Sequence, residues 1–343
     1  MPRRFTTPHS EQSAQAFKFI ATDFTDPSWL NHYQHYASHY RTQFLHEGEL
    51  KHPSLADCDN ALREYMPGLH KTWQQLCQQT QADEIAARVL SGYAGEAMSA
   101  FNDEASLGSI SGVQVVWNRY PNVLIRSAEN PVQQAEHTMI MTQARDEATL
   151  RTLGSSGYLW GYLDGMNEAG LCLSWSALNS HESKPGFKAA LVARYVLETC
   201  LNTAQAVEAL HRIPIQEAVS FLLLDAFGQC RKIDLHPYSP PVVSIKPFLV
   251  QAYGSDSFNP KQIECEQSLM RHLYEPSFSL AALIRSFDYS PFFYHLNDAN
   301  AGTLWTVIYN PALLACEYRW PHHPVVYQSF AHFDSHTQAV NFA

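Results

Sequence analysis

The spacing of apolar residues changes character near residue 108. Up to about residue 105 it repeats with helical period. In "DPSWLNHYQHYASHYRTQFL", His32, His35 and His39 recur at i, i+3 and i+7, with Tyr33, Tyr36 and Tyr40 one residue on. That pattern predicts an aromatic-rich amphipathic helix; a metal site on the three histidines is the minor alternative. "HKTWQQLCQQTQADEIAARVLSGYAGEAM" predicts two more helices. Residues 1–105 are therefore expected to form a mainly helical N-terminal segment, and residues 106–343 a second, strand-rich unit.

Beyond residue 108 short β-rich runs alternate with turn residues. "VQVVW" and "NVLIRSA" flank a turn at 118–121, and "HTMIMTQAR" is a further strand. "GYLWGYLDGMNEAGLCLSWSAL" reads as strand, Asn-Glu-Ala-Gly turn, strand. Its Gly157, Gly161, Gly165 and Gly170 mark turns or close backbone approach. A helix pair follows in "KAALVARYVLETCLNTAQAVEALHRI", with Leu191, Tyr195, Val196 and Cys200 on one face and Pro214 closing it. "AVSFLLLDAFGQCRKIDLHP" predicts a hairpin, "NPKQIECEQSLMRHLY" and "SLAALIRSF" helices, and "GTLWTVIYNPALLACEYRW" a last hairpin turning at Asn310 and Pro311. This order predicts an α+β sandwich of sheets with helices outside.

Composition narrows the function classes. With 343 residues, 45% of them hydrophobic and 12% aromatic, the chain can bury a large core. A net charge of −10 without a Lys/Arg run argues against nucleic acid. Neither a secretory h-region nor a long uncharged apolar window occurs, so a soluble cytoplasmic protein with no membrane span is expected. The seven cysteines form no CxxC pair and are expected to be reduced and mostly buried.

Four stretches, in order, resemble the penicillin acyltransferase and choloylglycine hydrolase group of N-terminal-nucleophile hydrolases. They are "LDGMNEAGLCLSWSALN", "FKAALVARYVLETCLNTAQAVEALHRIP", "SFLLLDAFGQCRKIDLHP" and "GTLWTVIYNPALLACEYRW". Residues 75–110 also resemble the helical segment that precursors of this group carry before the nucleophile, so the likeness spans roughly 75–325. It implies an αββα sandwich of two antiparallel sheets flanked by helices, preceded by the helical N-terminal segment. The activity it implies is cleavage or transfer of an acyl group at a linear amide, on substrates such as bile-salt conjugates, β-lactam side chains, N-acyl sphingoid bases or β-alanyl amines.

Such enzymes need a nucleophile at a newly freed N-terminus, where the α-amine is the base. Arg126 and Glu129 show the Arg-x-x-acid spacing of the group, and Glu129 lies 18 residues after Ser111. Ser111 is therefore the best match for a nucleophile that is usually cysteine. Ser109 is the runner-up, and a polar strand-start residue is the alternative. Arg126 and Glu129 could equally be a structural ion pair. The group's oxyanion asparagine falls on Asp256, in "YGSDSF". An ionised Asp only accepts hydrogen bonds, so there it would instead select a cationic or amine-bearing substrate. A second asparagine falls near Ser176, which can still donate through its hydroxyl, and an arginine falls near Asn300. Asn167 is expected to be structural.

Expected catalytic residues are thus Ser111, Arg126, Glu129 and Asp256, with Ser176 and Asn300 as substrate-binding residues and no metal or cofactor. Two functions remain open. One is an acyltransferase or amide hydrolase, of a biosynthetic kind, taking a small-molecule amide or acyl-thioester. The other is an unprocessed, non-hydrolytic homologue that binds an amide or amine ligand. A homodimer is the oligomer considered.

Overall fold

The computed structural model describes residues 15–24, 26–96, 112–178, 180, 182–253, 260–296 and 301–341, with the side chains of 252–253 and 260–265 left aside. The chain opens with strand β1 (Gln15–Thr22) and continues through four helices, α1 (Pro27–Glu47), α2 (Leu55–Tyr65), α3 (Pro67–Gln79) and α4 (Glu84–Ser91). Local signals set their ends. Asp26 caps α1 by accepting from the Ser28 amide at 2.8 Å, with Pro27 at the first helical position. Ser54 and Asp57 cap α2 reciprocally, and α4 stops at Gly92 in the left-handed conformation, φ +60°.

Short β2 (Tyr93–Ala94) leads to the strands of the sandwich: β3 (Gly112–Trp117), β4 (Val123–Pro131), β5 (Thr138–Thr142), β6 (Thr152–Gly157), β7 (Gly161–Asn167) and β8 (Cys172–Ala177). After β9 (Gly186–Phe187) come helices α5 (Ala189–Thr199) and α6 (Thr203–Arg212), then β10 (Val219–Leu224), β11 (Cys230–Leu235), β12 (Val242–Ser244) and β13 (Leu249–Tyr253). Helices α7 (Pro260–Tyr274) and α8 (Leu280–Ser286) precede β14 (Ala301–Asn310), β15 (Ala315–Arg319), β16 (Val326–Ser329) and β17 (His336–Val340).

Apart from β2 and β9, which pair with each other, these strands build a nine-stranded sheet, ordered β12-β11-β10-β8-β7-β6-β5-β1-β17, and a six-stranded sheet, ordered β13-β3-β4-β14-β15-β16. Apolar alternation sorts their faces. On the small sheet Val113, Val115, Val123, Ile125 and Ile308 pack outward against Leu269, Leu273 and Leu283 of α7 and α8. Val116, Leu124, Ala128, Trp305 and Val307 belong instead to the main core with the large sheet. Outside the large sheet lies α5, buried nearly all round, with α3 against it, while α1 packs directly on the sheet beside β1. Gly161 permits the close contact of β7 with α5, because a Cβ there would come within 2.6 Å of the Ala190 backbone. The result is the α+β, αββα sandwich expected.

Two details differ from the sequence reading. Strand β1 lies within the N-terminal region expected to be mainly helical; it pairs parallel with β5 and antiparallel with β17, so the large sheet contains one parallel pair. Strand β6, "TLGSSG", was not anticipated because it has no apolar alternation; its hydroxyls find partners instead, as Thr152 does with Thr142 at 2.6 Å and Tyr162 at 2.8 Å. The boundary expected at 105/106 lies outside the described residues.

Glu136 pins α1 to the sandwich. Its fully buried carboxylate meets His32 at 3.0 Å and accepts from Tyr40, Ser156 and the Leu159 amide, the last at 2.7 Å. Burial alone would raise its pKa; the bonds from His32, Leu159 and Ser156 outweigh that and hold it below the ordinary 4.5. A carboxyl with a depressed native pKa stabilises the fold above its unfolded value and loses that contribution as pH falls. Glu136→Ala should therefore cost about 3–5 kcal/mol near neutrality, measured by urea unfolding. The gap between variant and wild type should close as pH falls below about 4.5; a pH-independent gap would contradict the assignment.

Candidate active site

Strand β3 begins one residue after Ser111. Ser111 itself, with Ser109, Asp256 and Asn300, lies outside the described residues. Its neighbour Gly112 adopts φ +124°, and a Cβ there would fall 2.1 Å from the Ser127 carbonyl oxygen. Only glycine lets β3 start so close to β4. The next amide, Val113 N–H, donates to Ser127 Oγ at 2.9 Å, and Ser127 Oγ in turn donates to Glu129 Oε1 at 3.3 Å. Two polar steps thus connect the start of β3 to the Glu129 carboxyl.

Glu129 is half-buried on the same face of β4 as Ser127. Burial raises its pKa to about 7, with Ser127 and then Arg126 opposing the rise. Such a carboxyl can hold or release a proton at neutral pH, as a general acid or base requires. Arg126, of opposite parity, points into the space between the sheets. Its Nη1 donates to Ser174 Oγ at 2.9 Å and to the Trp175 carbonyl at 2.5 Å, while Nε lies 3.4 Å from Asp164 Oδ2. The ion pair of Arg126 is therefore made with Asp164, across the sandwich. Burial lowers the arginine's pKa and Asp164 is the chief counterweight. Burial likewise raises that of Asp164 against the pull of Arg126, Tyr309 and Ser155.

Ser176 is fully buried on β8 and accepts from Gln114 Nε2 across the sheets. In the small sheet Gln251 pairs with Gln114 and Gln114 with Arg126, so three polar residues stand side by side on the inner face. Ser220 is the register partner of Ser176 opposite. Gln114, Gln251 and Asp164 were missed by the sequence reading. Their signal was a single polar residue inside an otherwise apolar strand, as in "GVQVVW", "LVQAY" and "GYLDGM". Asn167 is structural as expected: its amide donates to the Leu197 and Cys200 carbonyls at 2.9 and 2.7 Å.

Other chemistries find less support among the described residues. Ser156, His32 and Glu136 have the residue types of a nucleophilic triad, but all three are buried within the sandwich and Ser156 donates to the carboxylate, so its proton is not presented to the imidazole. With His32 held by Glu136, His35 and His39 lie edge-on to Tyr36 and Tyr40. No group of three His, Cys, Asp or Glu among the described residues could hold a metal. Burial pushes the thiols of Cys172 and Cys316 well above the usual 9.0, away from thiolate chemistry. No described helix is long and apolar enough to cross a membrane.

Residues 117–323 match the family model described as "Acyl-coenzyme A:6-aminopenicillanic acid acyl-transferase". The chain belongs to this penicillin acyltransferase family. Among solved structures it is similar to penicillin V acylase from Agrobacterium tumefaciens, at 14% identity over 64% of this chain and 86% of that one, TM-score 0.42. A Caenorhabditis elegans ortholog of N-acylethanolamine-hydrolyzing acid amidase shares 16% identity over 59% and 93%, TM-score 0.43. A mutant of conjugated bile acid hydrolase from Clostridium perfringens shares 11% over 68% and 97%, TM-score 0.41. Among curated proteins none matches.

The Glu129 carboxyl yields a pH test. With a native pKa of about 7 against an ordinary 4.5, the folded protein binds more protons than the unfolded chain between those values, so stability should decline as pH rises through that window. Glu129→Gln should flatten the decline in pH-dependent urea midpoints. An unchanged slope would show that this carboxyl titrates normally.

Proposed function

We propose that the protein is an acyltransferase or amide hydrolase acting on a linear amide or thioester through an acyl-enzyme on Ser111. The observation that carries this reading is the start of β3. The residue after Ser111 is a glycine in a conformation that favours glycine, and the amide after that leads through Ser127 to a carboxyl poised near neutrality. Membership of an acyl-transferring family agrees with it.

In the proposed sequence, hydrolysis of the peptide bond between Ile110 and Ser111 frees the α-amine of Ser111, whose pKa in model peptides is about 7.7–8. The amine takes the Oγ proton as Oγ attacks the substrate carbonyl carbon. The tetrahedral oxyanion collapses, breaking the C–N or C–S bond, and the proton passes to the leaving group. Water or an acceptor amine then attacks the ester and regenerates the hydroxyl. Glu129 is suited to hold the α-amine in position. Ser176 is a candidate oxyanion donor, oriented by Gln114, because a hydroxyl that accepts from the carboxamide keeps its own proton for another acceptor. Arg126 serves by positioning, since its guanidinium is committed to Ser174, Trp175 and Asp164. Asp256 would favour an amine-bearing substrate, and Asn300 would contribute a neutral contact.

A second reading rests on the same departures from the family pattern. With serine for cysteine, Asp256 for asparagine and Asn300 for arginine, the chain could remain uncut and bind a small amide or amine ligand without hydrolysis. Mass spectrometry of the purified protein separates the two. The proposed reading expects fragments 1–110 and 111–343 that co-elute under native conditions, because β1 sits between β5 and β17 in the large sheet. Ser111→Ala should remain a single 38.8 kDa chain and lose acyl transfer by about a thousandfold or more. An intact wild-type chain, or activity that survives Ser111→Ala, would remove Ser111 from the mechanism.

A further inference from the structure

Four turns close one end of the sandwich, at 118–122 between β3 and β4, 168–171 between β7 and β8, 225–229 between β10 and β11, and 311–314 between β14 and β15. The pairing of Tyr309 with Leu124 sets the last of these beside the first. The others are in contact too: a Cβ added at Gly228 would strike Asn122, and one added at Gly170 would lie 2.9 Å from the Ala226 side chain and 3.1 Å from the Pro311 carbonyl oxygen. Strand β3 runs from Gly112 toward this end, so Ser111 belongs to the other end of the strand.

What distinguishes this end is a set of apolar side chains held outward on turns whose amides are already bonded. Tyr120 is 92% exposed, Phe227 82% and Leu313 64%. Asp225 Oδ1 accepts from the Phe227 and Gln229 amides at 3.1 and 3.0 Å. Asn310 Oδ1 accepts from Ala312 and Leu313 at 3.1 and 3.2 Å, and Asn167 Oδ1 from Ala169 and Leu171 at 3.1 and 3.0 Å. Side-chain caps of this kind order a turn, and here they fix Phe227 and Leu313 at its tip. Pro121 and Pro311 have no amide hydrogen to satisfy. The only acids in the four turns are Asp225, which is buried and also bonded to Thr203, and Glu168, which holds Arg151 at 2.7 Å.

We propose that this end of the sandwich docks on the surface of a zwitterionic phospholipid bilayer. Tyr120, Phe227 and Leu313 enter the headgroup and upper acyl region, where aromatic and leucine side chains are favoured. A backbone amide carried into that region without a partner is costly, and the Asp225 and Asn310 caps remove that cost at the two tips they hold. A protein partner matches this surface less well. Specific protein interfaces have a contiguous desolvated core, whereas exposed Gln229 and half-buried Asn118 and Asn122 interrupt the apolar side chains here. A net charge of −10 offers nothing to anionic lipid, so attachment rests on apolar insertion. Docking in this way turns the start of β3 away from the membrane and requires no reaction at Ser111.

The test is flotation of the purified full chain with vesicles of phosphatidylcholine. The wild type should float with them, and salt at about 0.5 M should not release it, because screening acts on charges and not on apolar insertion. Tyr120→Ser, Phe227→Ser and Leu313→Ser combined should lower partitioning about tenfold or more. The circular dichroism spectrum should not change, since all three side chains are exposed. Leu50→Ser is the control and should bind as wild type: this exposed leucine lies toward the other end, where its neighbour Lys51 abuts Gly95, the partner of Gln216 ahead of β10. In Phe227→Trp, brominated phosphatidylcholine should quench the added indole beyond the quenching seen in wild type. Absent flotation, release by salt, wild-type flotation of the triple variant, equal loss in Leu50→Ser, or no added quenching would each overturn the proposal. So would a wild-type dimer in size-exclusion chromatography that the triple variant abolishes, which would assign this surface to a second copy of the chain.

Discussion

The contact between Arg126 and Asp164 is the constraint around which the sandwich is arranged. A charged pair sealed between two sheets gains from mutual attraction in a low dielectric and loses through desolvation, and the balance is favourable only when the remaining polar atoms are also served. Much of that service is visible here. Ser174, Trp175 and Leu163 receive the guanidinium, while Tyr309 and Ser155 donate to the carboxylate at 2.6 and 2.7 Å. Each donor or acceptor comes from a defined strand position. Slipping either sheet by one residue would turn the whole set to the wrong face. The pair therefore specifies register between the sheets more than it adds stability, and the start of β3 inherits its position from that register through Gln114, the neighbour of Arg126.

Legibility followed hydrophobic pattern. Strands β3 and β4, the β10–β11 and β14–β15 hairpins and helix α5 were all apparent, because apolar period and turn residues agreed. Strand β6 was not, since "TLGSSG" owes its conformation to partners on both sides and to hydroxyls that bond across the core. Strand β1 had a readable cue, Phe17 and Phe19 alternating with Lys18 and Ile20, that the helical texture following it obscured. At the site, the β-rich run "NVLIRSA" located β4. What sequence could not give was parity: residues three apart on a strand face opposite ways, so Arg126 and Glu129 serve different environments.

That division gives two carboxyls different protonation landscapes. Asp164 sits between a guanidinium and hydroxyls in the sealed interior, and Glu129 sits half-buried with a serine hydroxyl near the entrance to β3. Burial raises the pKa of both, and the two differ in that Asp164 is sealed from solvent while Glu129 keeps partial exposure at the end of its strand.

Strand β1 has a temporal consequence. It waits for β5 on one flank and for β17, near the far end of the chain, on the other. During synthesis its Phe17 and Phe19 must remain without their final neighbours while most of the protein emerges from the ribosome. Contacts so distant in sequence fold slowly and leave sticky surface uncovered in the interval, so the nascent chain should depend on chaperones more than its final burial suggests.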